Sequence, residues 1–143
     1  MRHFWPMLFL FAGCTGGDPI AAAQDVIRSH EQFAKASNLD GVMSNVADDI
    51  VLLAPGMPLV QGATAFRDTY RGFFEMGQWD FRHDYTGTAV AGDAVILHGV
   101  ARGTLTPAGG QPGPFANNFI LMLKPGPDGR FKVWRAAFAP SAQ

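Results

Sequence analysis

From Trp79 onward the chain alternates: Trp79, Phe81, His83 and Tyr85 are separated by Asp80, Arg82, Asp84 and Thr86. This is the period of a β-strand with one face in the core and one in water, and no helix collects that set on one side. Gly92-Asp93 marks a turn, and 94–106 reads as a further strand. Its two faces are both fairly apolar or small, as in a central strand covered on both sides. Residues 107–114, rich in Pro and Gly, form a loose turn; 115–124 and 131–139 read as two more strands around the hairpin turn Pro127-Asp128-Gly129. A meander of four long strands has an apolar face that the rest of the chain must cover.

The first half supplies that cover. Asp18 can cap a helix and Pro19 suits its first turn. Over 20–37 the spacing places Ala23, Ile27, His30 and Ala34 on one face, with Val26 and Phe33 alongside. Asn38 ends this helix or caps the next, predicted over 39–47 with Leu39, Val42, Met43 and Val46 inward. Asp48-Asp49 reads as a solvated turn or a cap before the buried strand 50–53, and 58–61 returns as a short hairpin arm after Pro55-Gly56. A third helix over 63–76 buries Phe66, Tyr70, Phe73 and Phe74. Helix, helix, strand pair, helix and meander make an α+β domain over 19–143.

Composition narrows the function classes. The formal charge is −1, so no bulk field draws in nucleic acid or an anionic membrane surface. A single cysteine excludes an internal disulfide framework and a cysteine-only metal cluster. No apolar run reaches the roughly 18–20 residues of a spanning helix.

Residues 1–13 open with Arg2, continue through an apolar stretch over 4–12 and end in small residues before Cys14, the order of an export leader. Leu10-Phe11-Ala12-Gly13-Cys14 resembles a bacterial lipoprotein box, with Phe11 where such boxes prefer leucine. That resemblance implies lipidation at Cys14, residues 14–18 as a flexible tether, and a protein anchored in or released within the cell envelope. Cleavage after Ala21-Ala22-Ala23 is the second reading, and a buried strand with Cys14 as a core thiol is the third.

Four segments, Asn38-Leu39-Asp40-Gly41-Val42-Met43, Ala47-Asp48-Asp49, Gly62-Ala63-Thr64-Ala65-Phe66 and Trp134-Arg135-Ala136-Ala137-Phe138, occur in the order found in one superfamily. The chain resembles the nuclear transport factor 2-like superfamily, in its SnoaL-like and ketosteroid isomerase-like branch. The resemblance implies a cone of curved antiparallel sheet packed on three helices, a deep pocket at its wide end, and a homodimer through the outer sheet face. It does not settle function, because isomerases, dehydratases, cyclases and binders share the scaffold. Ketosteroid isomerase chemistry requires a carboxylate base, a tyrosine and a protonated aspartic acid. The corresponding positions are Ala54, His30 and Asn117, so all three depart and that mechanism is not expected.

What remains is an aromatic-lined pocket for a small, partly apolar molecule. Strand parity and helix spacing assign it His30, Tyr70, Phe74, His83, Tyr85, His98, Arg102, Asn117, Trp134 and Phe138. His30, His83 and His98 are the candidate acid-base groups, since histidine titrates near neutrality; His83 and His98, on neighbouring strands, are the two that could pair through the pocket. Metal is not expected, because no inward carboxylate accompanies the histidines, and no cofactor is implied. Three readings stay open: a binder, an isomerase-, cyclase- or dehydratase-type enzyme using a pocket histidine, and an envelope protein-interaction module.

Overall fold

The computed structural model describes residues 16–142; the leader, Cys14 and the start of the tether lie outside them. Helix α1, Pro19–Lys35, begins where the Asp18 side chain accepts from the Ile20 amide at 2.9 Å, and it buries Ala23, Val26, Ile27, His30 and Ala34. Helix α2, Leu39–Ser44, is capped by Asn38, whose side chain accepts from the Gly41 amide. It stops earlier than the spacing predicts. The chain turns at Asn45 and enters β1, Val46–Leu53, so Val46 is buried as a strand residue. Asp48 and Asp49 therefore lie within a strand, not in a solvated turn.

After β2, Val60–Gln61, helix α3 spans Ala63–Met76 and buries Phe66. The four long strands are β3, Gln78–Ala91, β4, Ala94–Thr106, β5, Gly113–Pro125, and β6, Phe131–Pro140. One curved sheet holds them in the order β2-β1-β6-β5-β4-β3, with β1 parallel to β6 and the other neighbours antiparallel. The helices cover one face, where Ile27, Val42 and Phe66 meet Leu97, Leu121 and Leu123 in the core.

Register decides which side chains share that face, because antiparallel partners project to the same side. Phe81, His83 and Tyr85 stand opposite Gly103, Ala101 and Gly99. Large side chains on β3 thus lie beside the smallest on β4, which lets the two strands curl tightly over the helices. A Cβ on Gly99 would come 2.0 Å from the Asp84 carbonyl oxygen, and one on Gly103 would come 2.1 Å from that of Asp80. The other face of β4 is open: His98 and Arg102 are exposed, so the strand is not covered on both sides as its composition suggests.

Candidate functional site

A cavity of about 320 Å³ lies between the helices and the inner sheet face. Helices α1 and α3 contribute His30 and Tyr70, Phe73 and Phe74; β3 gives Trp79, Phe81 and His83; β5 and β6 add Asn117 and Phe138. The turn after β1 closes one side with Ala54, Pro55 and Met57. Among the described residues the wall carries no Asp, Glu, Lys or Arg, so its polarity comes from two imidazoles, a phenol and an amide. His30, Ala54 and Asn117, the three positions singled out by the isomerase pattern, converge on this one wall.

His30 Nε2 and Tyr70 Oη lie 2.5 Å apart, and the two rings meet edge to face. His30 Nδ1 is buried without a partner. An imidazolium would leave that N–H unsatisfied, and burial first, then the neighbouring His83, hold His30 at about 3, far below its ordinary 6.5. The neutral tautomer that orphans no donor carries its proton on Nε2 and donates to Tyr70, leaving the Tyr70 hydroxyl hydrogen for the cavity. Burial pushes the Tyr70 hydroxyl well above its ordinary range, so it stays protonated at neutral pH.

His83 is fixed from three directions. Its ring stands edge-on to Phe119 at 4.7 Å between centroids, with Phe81 and Phe138 at 5.7 and 6.5 Å. One carboxylate oxygen of Glu31 accepts from the His83 amide at 2.7 Å and lies 2.8 Å from Nδ1. Nε2 is the ring nitrogen this contact leaves free. Ala101 separates His83 from Asn117 in the register of β3, β4 and β5, so a small residue forms the floor between two polar ones.

Glu31 was not among the residues the sequence assigned to the pocket, and it is the inward carboxylate held to be missing. Its signal was present: Glu31 follows Ile27 by four residues and precedes Ala34 by three, and both of those are buried. Even so, no group of three or more His, Cys, Asp or Glu able to hold a metal ion occurs among the described residues.

Four expected placements need correction. His98 and Arg102 point to the outer face, because Ala101 and Gly99 take the inward positions opposite His83 and Tyr85. His98 approaches the Thr86 hydroxyl through Nδ1 at 3.2 Å, and Arg102 pairs with Asp84 at 3.3 Å. His83 and His98 therefore cannot meet through the cavity. Trp134 is also outside: its indole N–H donates to Asp49 at 3.0 Å, with Lys124 and Arg135 over its ring. The register of β5 against β6 shifts between Met122 and Leu123, so Val133 and Ala136 both face inward and Trp134 is expelled. Tyr85 does face inward, against Phe119, but it lies outside the cavity wall. Burial, then the Glu31 charge, raises its hydroxyl to about 12, against a smaller opposing effect of Arg28.

The sequence profile of the SnoaL-like domain matches residues 26–140. A ketosteroid isomerase-like protein from Erwinia carotovora atroseptica superposes with a TM-score of 0.77 at 19% identity, covering 89% of this chain and 99% of that one. ActVI-ORFA from Streptomyces coelicolor gives 0.72 at 14% identity over 85% and 96%. An NTF-2 like protein from Shewanella oneidensis MR-1 gives 0.67 at 14% identity over 85% and 98%. At these identities the likeness is one of fold. No curated protein matches the chain.

Proposed function

The chain belongs to the SnoaL-like domain family, and from that premise we propose that its cavity binds a small, uncharged, partly apolar molecule. The observation that carries this reading is the wall: aromatic and aliphatic side chains, with polar groups on Tyr70, His30, His83 and Asn117 and the Trp79 indole N–H already donated to the Phe73 carbonyl. A charged ligand would lose its hydration without gaining a counter-ion, whereas a flat apolar ring exchanges water for aromatic edges and keeps two or three hydrogen bonds. The carboxylate of Glu31 at His83 favours a second reading in the same cavity, an isomerase-, cyclase- or dehydratase-type enzyme with a histidine acid-base group.

Trp79 lines the cavity and reports on it directly. Titration with 2-naphthol, an uncharged bicyclic phenol, should quench its fluorescence saturably. Phe74→Ala should raise the dissociation constant about tenfold, since burying a phenylalanine side chain contributes about 1.5–3 kcal/mol. Trp134→Phe should leave it unchanged. Non-saturable quenching in the unaltered protein would overturn the pocket reading.

Two further parts of the proposal concern the whole protein. Export through the leader, with lipidation at Cys14, would place the domain in the cell envelope. A homodimer through the outer sheet face would cover Ile120, which stands 46% exposed.

A further inference from the structure

We propose that His83 is a catalytic base that removes a proton from carbon in the bound molecule, and that Glu31 is the residue that positions it. This rests on the pocket reading and assigns it a chemistry. A base must hold one ring nitrogen toward the substrate and keep its other nitrogen's proton fixed. The Glu31 carboxylate fixes Nδ1 and the backbone amide of the same residue through one oxygen, and Phe81, Phe119 and Phe138 hold the ring plane. The His83 side chain is 4% exposed and Glu31 16%, so the pair is shielded without being sealed from water that returns the proton.

The other two histidines do not fit the role. His98 lies on the outer face, and His30 is committed through Nε2 to Tyr70 with its second nitrogen buried. Beside the base, Ala101 leaves room for a flat ring, and Asn117 and Tyr70 offer hydrogen bonds to the atom that accepts the electron pair. The substrate class is an uncharged ring compound with a C–H acidified by that acceptor. The C–H bond breaks, the proton passes to Nε2, and the electron pair moves to the acceptor atom. Water or the product then takes the proton from His83.

The probe is 5-nitro-1,2-benzoxazole, uncharged and bicyclic. Loss of its ring C–H proton to a base breaks the N–O bond, forms a nitrile and leaves a coloured phenolate. The full chain should turn it over saturably, with 2-naphthol as a competitive inhibitor. His83→Ala and His83→Gln should lower kcat by about a hundredfold or more while 2-naphthol still binds, and added imidazole should restore part of the His83→Ala rate. Glu31→Gln should lower kcat about tenfold with KM unchanged, Glu31→Asp should recover part of it, and His98→Ala should match the unaltered protein. Saturable 2-naphthol binding with a rate indifferent to both His83 substitutions would overturn the base and leave the pocket standing. Equal losses in kcat and KM at Glu31, with no recovery by aspartate, would overturn its positioning role. Absence of 2-naphthol binding would overturn the pocket reading and this one with it.

Discussion

At the scale of single residues, the cavity contains an imidazole that its surroundings hold neutral. His30 is held neutral by burial and by His83, at about 3 against 6.5 in the unfolded chain. The unfolded state therefore binds a proton that the native state refuses throughout that interval. Stability is unaffected by His30 above about pH 6.5 and falls as the pH drops toward 3, by up to about 1.4 kcal/mol per pH unit. Urea unfolding across this range should show that slope, and His30→Gln should flatten it; an unchanged slope in the variant would assign the acid sensitivity to other groups. The inward position of His30 was legible in the spacing of α1, because Ala23, Ile27 and Ala34 mark the same stripe. Glu31 escaped because a carboxylate is ordinarily assigned to solvent. Its place on that stripe has a physical explanation only once His83 is seen to receive it from β3.

Elements explain the remaining errors. The strict alternation of β3 was readable because its two faces differ in chemistry; the cavity takes His83 from it as expected, and takes Trp79 and Phe81 from the same face in place of Tyr85. In strand β4 the face of His98 and Arg102 also carries Ile96 and Val100, so hydrophobic pattern marks its parity only weakly. It is fixed by pairing, where Gly99, Ala101 and Gly103 accommodate Tyr85, His83 and Phe81. Trp134 and Phe138 are four residues apart and should share a face in a regular strand. The irregularity in β6 falls at Trp134 itself, which the ladder skips between Val133 and Arg135, and this separates the two, a change that hydrophobic pattern does not encode. The tight β3–β4 approach makes a prediction of its own. Gly103→Ala places a Cβ 2.1 Å from the Asp80 carbonyl oxygen and should cost about 2 kcal/mol or more, whereas Gly113→Ala, whose Cβ would lie 3.7 Å from the Leu105 carbonyl oxygen, should stay within about 0.5 kcal/mol. Denaturant midpoints with unchanged slopes would measure both, and equal costs would refute a role for small residues in the curl.

For the whole molecule, charge distribution sets the two faces apart. Residues 50–66 and 103–123 contain no charged side chain, and both segments line the cavity, through Leu52, Ala54, Met57 and Phe66 and through Phe115, Asn117 and Leu121. The outer sheet face instead mixes His98, Arg102 and Lys124 with apolar Ile120. The leader reading is tested on the full chain: Cys14→Ser should abolish acyl labelling and move the protein to the soluble fraction, and an unchanged membrane yield would reject the anchor. The dimer reading is tested on the sheet. In the register of β4, β5 and β6, Ile120 lies between His98 and Ala137, near the middle of the outer face. A stable interface covers about 800 Å² per partner, and a carboxylate at its centre would be stripped of water with no partner fixed to receive it. Ile120 is 46% exposed in the single chain, so Ile120→Glu should cost the isolated domain little. Sedimentation should then give a dimer mass for the unaltered protein and a monomer mass for Ile120→Glu, with similar thermal unfolding of the two at low concentration. A dimer that survives the substitution would place the contact elsewhere, and a monomer before it would leave Ile120 as an isolated exposed apolar side chain of the ordinary kind.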